Sequence, residues 1–434
     1  MTLRPHSPLE GTATVDGSTT MALVLLAAAG ALRRHVKIVN VPPTGDVETM
    51  LAALRHAGLH VSSPVGESGS LILWPAPCGV PAAPTVPVAM ARVFPEVSYL
   101  VPALLAARGQ ARLPWPEDQQ DDLVAQLRVY EEAFGDTVVR EDGGYQVTAA
   151  APLPAVAVRL PVRWPGATVT TVLRAAATRT PLTLTNPYWG PETTSVLEAL
   201  RTCGFGVPAA QDGLRLVPPP HDETPSRPSS PAWEVPGDPV EAAVLTCSFV
   251  ASAGSGRING IHGPHLHAAA GVLTRAGIRL ALEDRSLRVY PTDYRQVTGL
   301  KVVTSLSPGG LAPALLPPLV ALALRFPGVH LVQDEVHTEV MDGLLAELQR
   351  FGAKVEVLSA TARRLTVPLL SGGGWTEARC PAVGSALLVA ALAAPASSVI
   401  NGVNTIGRRH PALATHLRRL GADLAEKGPD DIRQ

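Results

Sequence analysis

Two short runs of this sequence combine residue types that can move a proton. In Asp334-Glu335-Val336-His337-Thr338-Glu339 a histidine stands among carboxylates. Nearby negative charge favours the imidazolium form, so His337 is expected to titrate where a general acid or base is useful, with Glu339 as its companion. As a solvated loop the run needs no function. In VPGDPVEAA, Asp238 follows Pro-Gly and precedes Pro-Val-Glu, the pattern of a helix N-cap with a carboxylate, Glu241, in the first turn. Capping explains Asp238 by itself. Because a helix N-terminus is also a ligand site, contact of Asp238 and Glu241 with a bound molecule stays open.

Other candidates are weaker. His262, His265 and His267 lie in GIHGPHLHAAAG, but His265 and His267 are two apart and point to different sides of a helix or strand, and no cysteine or carboxylate supports a metal set. Surface histidines, or one acid/base group, are the readings left; no metal and no cofactor is expected. Arg408-Arg409-His410 can cover a sheet edge or line a site. The glycine run SGGGW, 371–375, lacks the lysine and following helix needed to cradle phosphate, so it reads as a loop.

The framework that must position these residues follows from length and composition. At 434 residues the chain is too long for one ordinary core and suggests two domains. It is 46% hydrophobic and 17% charged with a formal net charge of −1, which gives no electrostatic case for nucleic acid or an anionic membrane. A small-molecule or protein partner is expected, with the chain a monomer or homodimer. The four cysteines, Cys78, Cys203, Cys247 and Cys380, lie far apart without metal-ligand spacing, which fits a reduced, cytoplasmic setting. The run MALVLLAAAGAL, 21–32, lacks a charged flank and is too short to span a bilayer, so it reads as a buried helix.

One pattern recurs: an Ala/Leu/Val-rich helix, a β-branched stretch, then an amphipathic helix ending in a glycine and a strand. The endings are RHAGLHV (Gly58), EEAFGDTVV (Gly135), RTCGFGV (Gly204), TRAGIRL (Gly277), QRFGAKV (Gly352) and RRLGADL (Gly421). Each glycine falls where a helix must stop in the left-handed conformation. The helices LVLLAAAGAL, YLVPALLAA, VTTVLRAAA, EAAVLTCSFVA, LLPPLVALAL and SALLVAALAA carry little charge on any face and are expected to be buried on most sides. Three copies precede the proline- and serine-rich stretch 217–238 and three follow it, so that stretch reads as an inter-domain linker. The stretch near Thr12–Val15 is expected to pair with the second half.

Six copies in two halves, with helices inside and sheets outside, resemble the enolpyruvyl transferases, over nearly the whole chain. The resemblance implies an α/β fold of two pseudo-symmetric inside-out domains with three repeats each. Residues 18–220 form the first domain and residues 1–17 with 235–434 the second. It also implies a substrate cleft between the domains. The family's Gly-(Ala/Ser)-Lys-(Asn/Ser) motif corresponds to Gly17-Ser18-Thr19-Thr20, so Thr19 replaces the lysine that holds the phosphate of phosphoenolpyruvate. The catalytic aspartate's place falls at Ala314, and no carboxylate lies between Ser305 and Leu324. The arginine expected before the last apolar helix falls at Ala382, with Arg379 three residues away. Basic charge expected after the fifth copy's strand is replaced by DEVHTE, and the mobile loop, LPWPEDQQDDL at 113–123, has no cysteine. The resemblance leaves Ser18, Thr19, Thr20, Gly166, Thr168, Glu241, Arg379 and Arg408 as substrate contacts, and His337, Glu339 and Asp238 as catalytic candidates.

Three functions compete. One is a repurposed enzyme of specialised metabolism acting on a small substrate without phosphoenolpyruvate. The second is a binding or scaffold protein that kept the fold and lacks a convergent titratable pair. The third is a true enolpyruvyl transferase in which Arg92, Arg379 and Arg408 rebuild the anion site.

Overall fold

The computed structural model describes residues 1–4, 7–75, 95–114, 120–209, 213–220 and 232–425. The chain divides into two domains: Gly17–Pro236, and Met1–Asp16 together with Gly237–Gln434. It passes between them at Asp16–Gly17 and at Pro236–Gly237.

Among the described residues the first domain's helices are α1 (Thr19–Leu32), α2 (Gly45–His56), α3 (Val101–Arg108), α4 (Gln120–Phe134), α5 (Pro165–Ala177) and α6 (Pro191–Thr202). The sequence of α1, TTMALVLLAAAGAL, offers no polar face, and it is buried along nearly its whole length against α2, α3, α5 and α6. Its small residues permit this: a Cβ at Gly30 would stand 2.8 Å from both Ala103 Cβ and Leu54 Cδ2. Around the helices lie three sheets. Their strand orders are Ala232–Glu234, Val36–Val39, Leu71–Pro75, Leu59–Ser62; then Gln110–Pro114, Gly144–Thr148, Thr137–Glu141; then Gly213–Leu216, Leu182–Thr185, Val156–Arg159.

The second domain holds α7 (Pro239–Ala251), α8 (Gly263–Arg275), α9 (Leu316–Leu322), α10 (Thr338–Gln349), α11 (Pro381–Ala393), α12 (Asn404–Arg409) and α13 (Leu413–Arg419). Apolar α7, α9 and α11 pack on one another as its core. Its sheets run Leu280–Leu282, Ser286–Val289, Ser255–Asn259, Glu10–Thr14; then Lys301–Val303, Gly328–Gln333, Ala362–Val367, Lys354–Val357; then Trp375–Glu377, Ser398–Asn401, Thr2–Leu3, Leu424–Ala425. The strand Glu10–Thr14 pairs in parallel with Ser255–Asn259. All six helix-ending glycines have positive φ, from +70° at Gly135 to +110° at Gly421, a conformation that costs other residues strain.

One segment departs from the sequence reading. Ala232–Glu234, inside the stretch expected to be a linker, forms a strand parallel to Val36–Val39. The cause is Trp233, which is buried in the first domain's core and donates its indole N–H to Thr202 Oγ1 at 2.8 Å. An apolar ring of that size outweighs the flexible composition around it.

The first domain also buries one ion pair. Arg174 of α5 donates from Nε and Nη2 to the two carboxylate oxygens of Asp136, at 2.9 and 2.7 Å, with side chains 4% and 0% exposed. Asp136 also accepts from the amide of Ala150, and the guanidinium lies 5.5 Å from the centre of the Phe134 ring. Removing one member leaves a buried charge without compensation, so Asp136→Ala is expected to cost the first domain about 3–5 kcal/mol. Chemical denaturation checks this. The double substitution Arg174→Met with Asp136→Leu is expected to recover part of the loss.

Candidate functional site

At the N-terminus of α7 the sequence pattern Asp238-Pro239-Val240-Glu241 becomes a capped first turn. Asp238 Oδ1 accepts from the amides of Val240 and Glu241 at 2.8 and 3.1 Å. The cap fixes Glu241 facing inward, where it is 2% exposed. From α13, His416 places Nδ1 2.7 Å from Glu241 Oε1. From the end of α12, His410 places Nδ1 3.8 Å from Asp238 Oδ2. The amide of Asp238 donates to the carbonyl of Asp16 at 2.9 Å, which ties the N-terminal crossing segment to the same turn.

Electrostatics make this a proton-holding group. Burial pushes the Glu241 carboxyl above the usual carboxylate range, against the pull of its bond to His416. That hydrogen bond, helped by the charges of Glu241 and Asp16, raises the imidazole of His416 against burial and Arg419. Both directions mean that the pair keeps a proton to higher pH than the two groups would separately.

Asp238 and Glu241 are the site residues from the sequence that the structure brings together. His410 entered the sequence reading only as the end of an arginine run, and His416 did not enter it. The contact joins positions 175 apart in sequence, and no local spacing announces it.

The other candidates stand elsewhere. His337 and Glu339 are exposed at the start of α10. The buried member of their run is Asp334, which accepts from Thr304 Oγ1 at 2.7 Å and from the amides of Val336 and His337, so the acidic run works as a helix-starting turn. In the first domain Ser18 precedes α1, and its amide donates to the carbonyl of Pro236. Thr19 is 1% exposed with its hydroxyl 3.4 Å from that of Thr44, and Thr20 is half-buried. A Cβ at Gly166 would meet the Gln126 amide, and Thr168 Oγ1 accepts from the amide of Tyr188. Arg379 and Ala314 are exposed, and Arg408 is half-buried. Arg92 and residues 115–119 of the acidic loop lie outside the described residues. His262 and His265 face each other with ring centres 4.4 Å apart, and burial pushes His265 down to about 3, which leaves it neutral. Among the described residues no group of three or more potential ligands is placed to hold a metal, and no helix is long and apolar enough to cross a membrane.

Comparison with known proteins places these elements among carboxyvinyltransferases. A family described as EPSP synthase (3-phosphoshikimate 1-carboxyvinyltransferase) matches residues 135–417. The chain is 25% identical to a UDP-N-acetylglucosamine 1-carboxyvinyltransferase of Prochlorococcus marinus, over 98% of this chain and 97% of that one. It is 26% identical to UDP-N-acetylglucosamine 1-carboxyvinyltransferase 2 of Listeria innocua, over 96% and 95%. Among solved structures it is similar to the enolpyruvyl transferase NikO from Streptomyces tendae, with TM-score 0.77, 21% identity and 97% coverage of both chains. EPSP synthase from Acinetobacter baumannii follows with TM-score 0.72, 15% identity and coverage of 98% and 99%.

The Glu241–His416 pair has a pH signature. A histidine whose folded pKa is raised contributes stability that is fully present below its unfolded value of 6.5 and is lost as pH climbs through the raised one. Glu241, raised by burial, acts in the same direction from 4.5 upward. Thermal unfolding of the second domain is therefore expected to fall to lower temperature as pH rises above 6.5. In His416→Gln this alkaline slope should flatten.

Proposed function

This chain belongs to the EPSP synthase family of carboxyvinyltransferases, and we propose that it is a repurposed enzyme of specialised metabolism that acts on a small substrate without phosphoenolpyruvate. The observation that carries this reading is Thr19. At the place where the family resemblance puts a phosphate-holding lysine, the chain has a 1% exposed threonine turned to the hydroxyl of Thr44. A hydroxyl supplies no charge, and charge-assisted hydrogen bonds are about twice as strong as neutral ones. Ala314 supplies no carboxylate either. Loss of one charge-stabilising group typically slows such a reaction by about 10² or more.

What the chain keeps instead is Glu241 with His416. We assign the proton transfer to this pair rather than to His337 or Glu339, whose exposure to solvent gives them no desolvated setting. Glu241 orients the ring through Nδ1 and stabilises its imidazolium, and Nε2 is the nitrogen through which His416 gives or takes a proton. A buried, mutually tuned pair also favours an enzyme over a scaffold, which has no need of one. In this reading Asp238 holds the turn, Arg408 stands near the substrate, and no cofactor takes part. We also read the six helix–glycine–strand endings as copies of one ancestral unit, and we place the protein in the cytoplasm, where the free thiols of Cys203, Cys247 and Cys380 stay reduced.

The test is direct. Purified protein mixed with phosphoenolpyruvate and either UDP-N-acetylglucosamine or 3-phosphoshikimate is expected to release no phosphate above background. Turnover of about 1 s⁻¹ or faster, the ordinary range for enzymes, would defeat the proposal and establish a true carboxyvinyltransferase.

A further inference from the structure

His330 lies outside the site described above, at a buried position of the strand Gly328–Gln333, where it is 2% exposed. Both of its ring nitrogens are engaged by backbone. Nδ1 accepts from the amide of Leu300 at 3.0 Å, and Nε2 stands 2.8 Å from the carbonyl of Phe326. A backbone amide can only donate, so Nδ1 carries no proton, and Nε2 carries the one that the carbonyl accepts. The two partners fix a single neutral tautomer.

The ring joins three pieces of chain. Phe326 ends the short turn Ala323–Arg325 after α9, and Leu300 leads into Lys301–Val303, an edge strand of its sheet. Leu300 also accepts from the amide of Leu331, so the strand that bears His330 holds it from two sides. At the far end of the edge strand, Thr304 donates to the carbonyl of Gln333 at 3.0 Å and to the carboxylate of Asp334 at 2.7 Å.

We propose that His330 is an acid-sensitive latch on this edge strand: the neutral ring docks Leu300, and the imidazolium lets Leu300 and Lys301–Val303 go. A protonated ring carries N–H at both nitrogens, so Nδ1–H meets the amide of Leu300 donor to donor, while the bond to Phe326 persists. One side of the latch opens and the other holds. Opening uncovers Leu300 and Val302, each 1% exposed when closed, and bares the backbone of Gly328–Gln333.

The sign of the effect follows from the surroundings. Burial pushes the imidazole below its ordinary value, against the bond to Phe326. Side chains on the elements around it have partners elsewhere: Arg325 stacks on the Tyr294 ring, Tyr294 donates to the carbonyl of Val250, Arg363 bonds Asp342, Arg364 bonds Glu356, and Glu347 of α10 accepts from the amide of Glu377. Lys301 is exposed. A histidine held neutral gives stability that is present above its unfolded value of 6.5 and lost as pH falls below it, the reverse of His416. His265, pushed down to about 3, acts in the same direction on the whole domain, so the test must be local.

The experiment uses the full chain without ligand. Nitrogen-15 NMR of the ring, assigned by its loss in His330→Gln, is expected to show the neutral Nε2–H tautomer at neutral pH. Hydrogen exchange, corrected for the intrinsic effect of pH on the amide, is then compared between Leu300 and the interior strand Ala362–Val367. From pH 6.5 downward the protection of Leu300 is expected to fall by up to about tenfold per unit, the effect of one linked proton, and that of Ala362–Val367 to fall less. In His330→Gln, which keeps a donor and an acceptor and cannot titrate, the extra fall at Leu300 should vanish. An Nδ1–H tautomer, equal falls in the two strands, or an extra fall that persists in the variant overturns the latch. If the variant does not fold, the tautomer and the strand comparison in the unmodified chain decide alone.

Discussion

Each domain is built around helices that have no polar face, and this constraint organises everything else. A helix such as α1 or α7 cannot sit at a surface, because every side that met water would expose alanine, leucine or valine. Its flanks must therefore be covered by other helices and its domain closed by sheets, which then carry the solvent-facing residues. The covering is worth about 1.5–3 kcal/mol for each large apolar side chain removed from water. It also dictates where chemistry can occur. The flanks of the core helices are spent on packing, so their ends are the places where backbone amides and a few polar side chains come together.

The ends of α1 and α7 show two outcomes of that rule. At α1 the cited contact is between hydroxyls, with Thr19 turned to Thr44. At α7, carboxylates occupy the cap and the first turn, and histidines from α12 and α13 answer them. The first domain's own buried charge, Asp136 with Arg174, is closed on every side by a guanidinium, an amide and an aromatic ring. It therefore has the character of a structural tie. The α7 cluster differs in leaving one imidazole nitrogen without a partner.

The sequence disclosed the fold further than the site. Repeated glycines after amphipathic helices, and apolar runs with no charged face, are local signals, and local signals survive in a sequence read alone. Asp238 and Glu241 were visible for the same reason, since a helix cap is written within four residues. His416 was invisible because its partner is supplied by another sheet–helix layer, 175 positions away. His337 shows the opposite case. Acidic neighbours in sequence suggested a proton-moving group; the structure buries Asp334 to start a helix and leaves Glu335, His337 and Glu339 exposed. Adjacency in sequence measures charge, whereas a titrating group is made by burial, which sequence reports poorly.

The double crossing of the chain has a consequence for the order in which the protein can be made. Thr2–Leu3 lies between Ser398–Asn401 and Leu424–Ala425, and Glu10–Thr14 pairs with Ser255–Asn259. During synthesis these early residues leave the ribosome with no strand to join, while Gly17–Pro236, a continuous segment, can complete its own domain. The waiting segment stays unpaired until Leu424–Ala425 has emerged. The entropy of closing so long a loop grows only slowly with length, so the delay is one of time more than of free energy. Until then the unpaired backbone edges of those strands are open to any nascent partner, which makes the second domain the one most exposed to misassembly and to the help of chaperones.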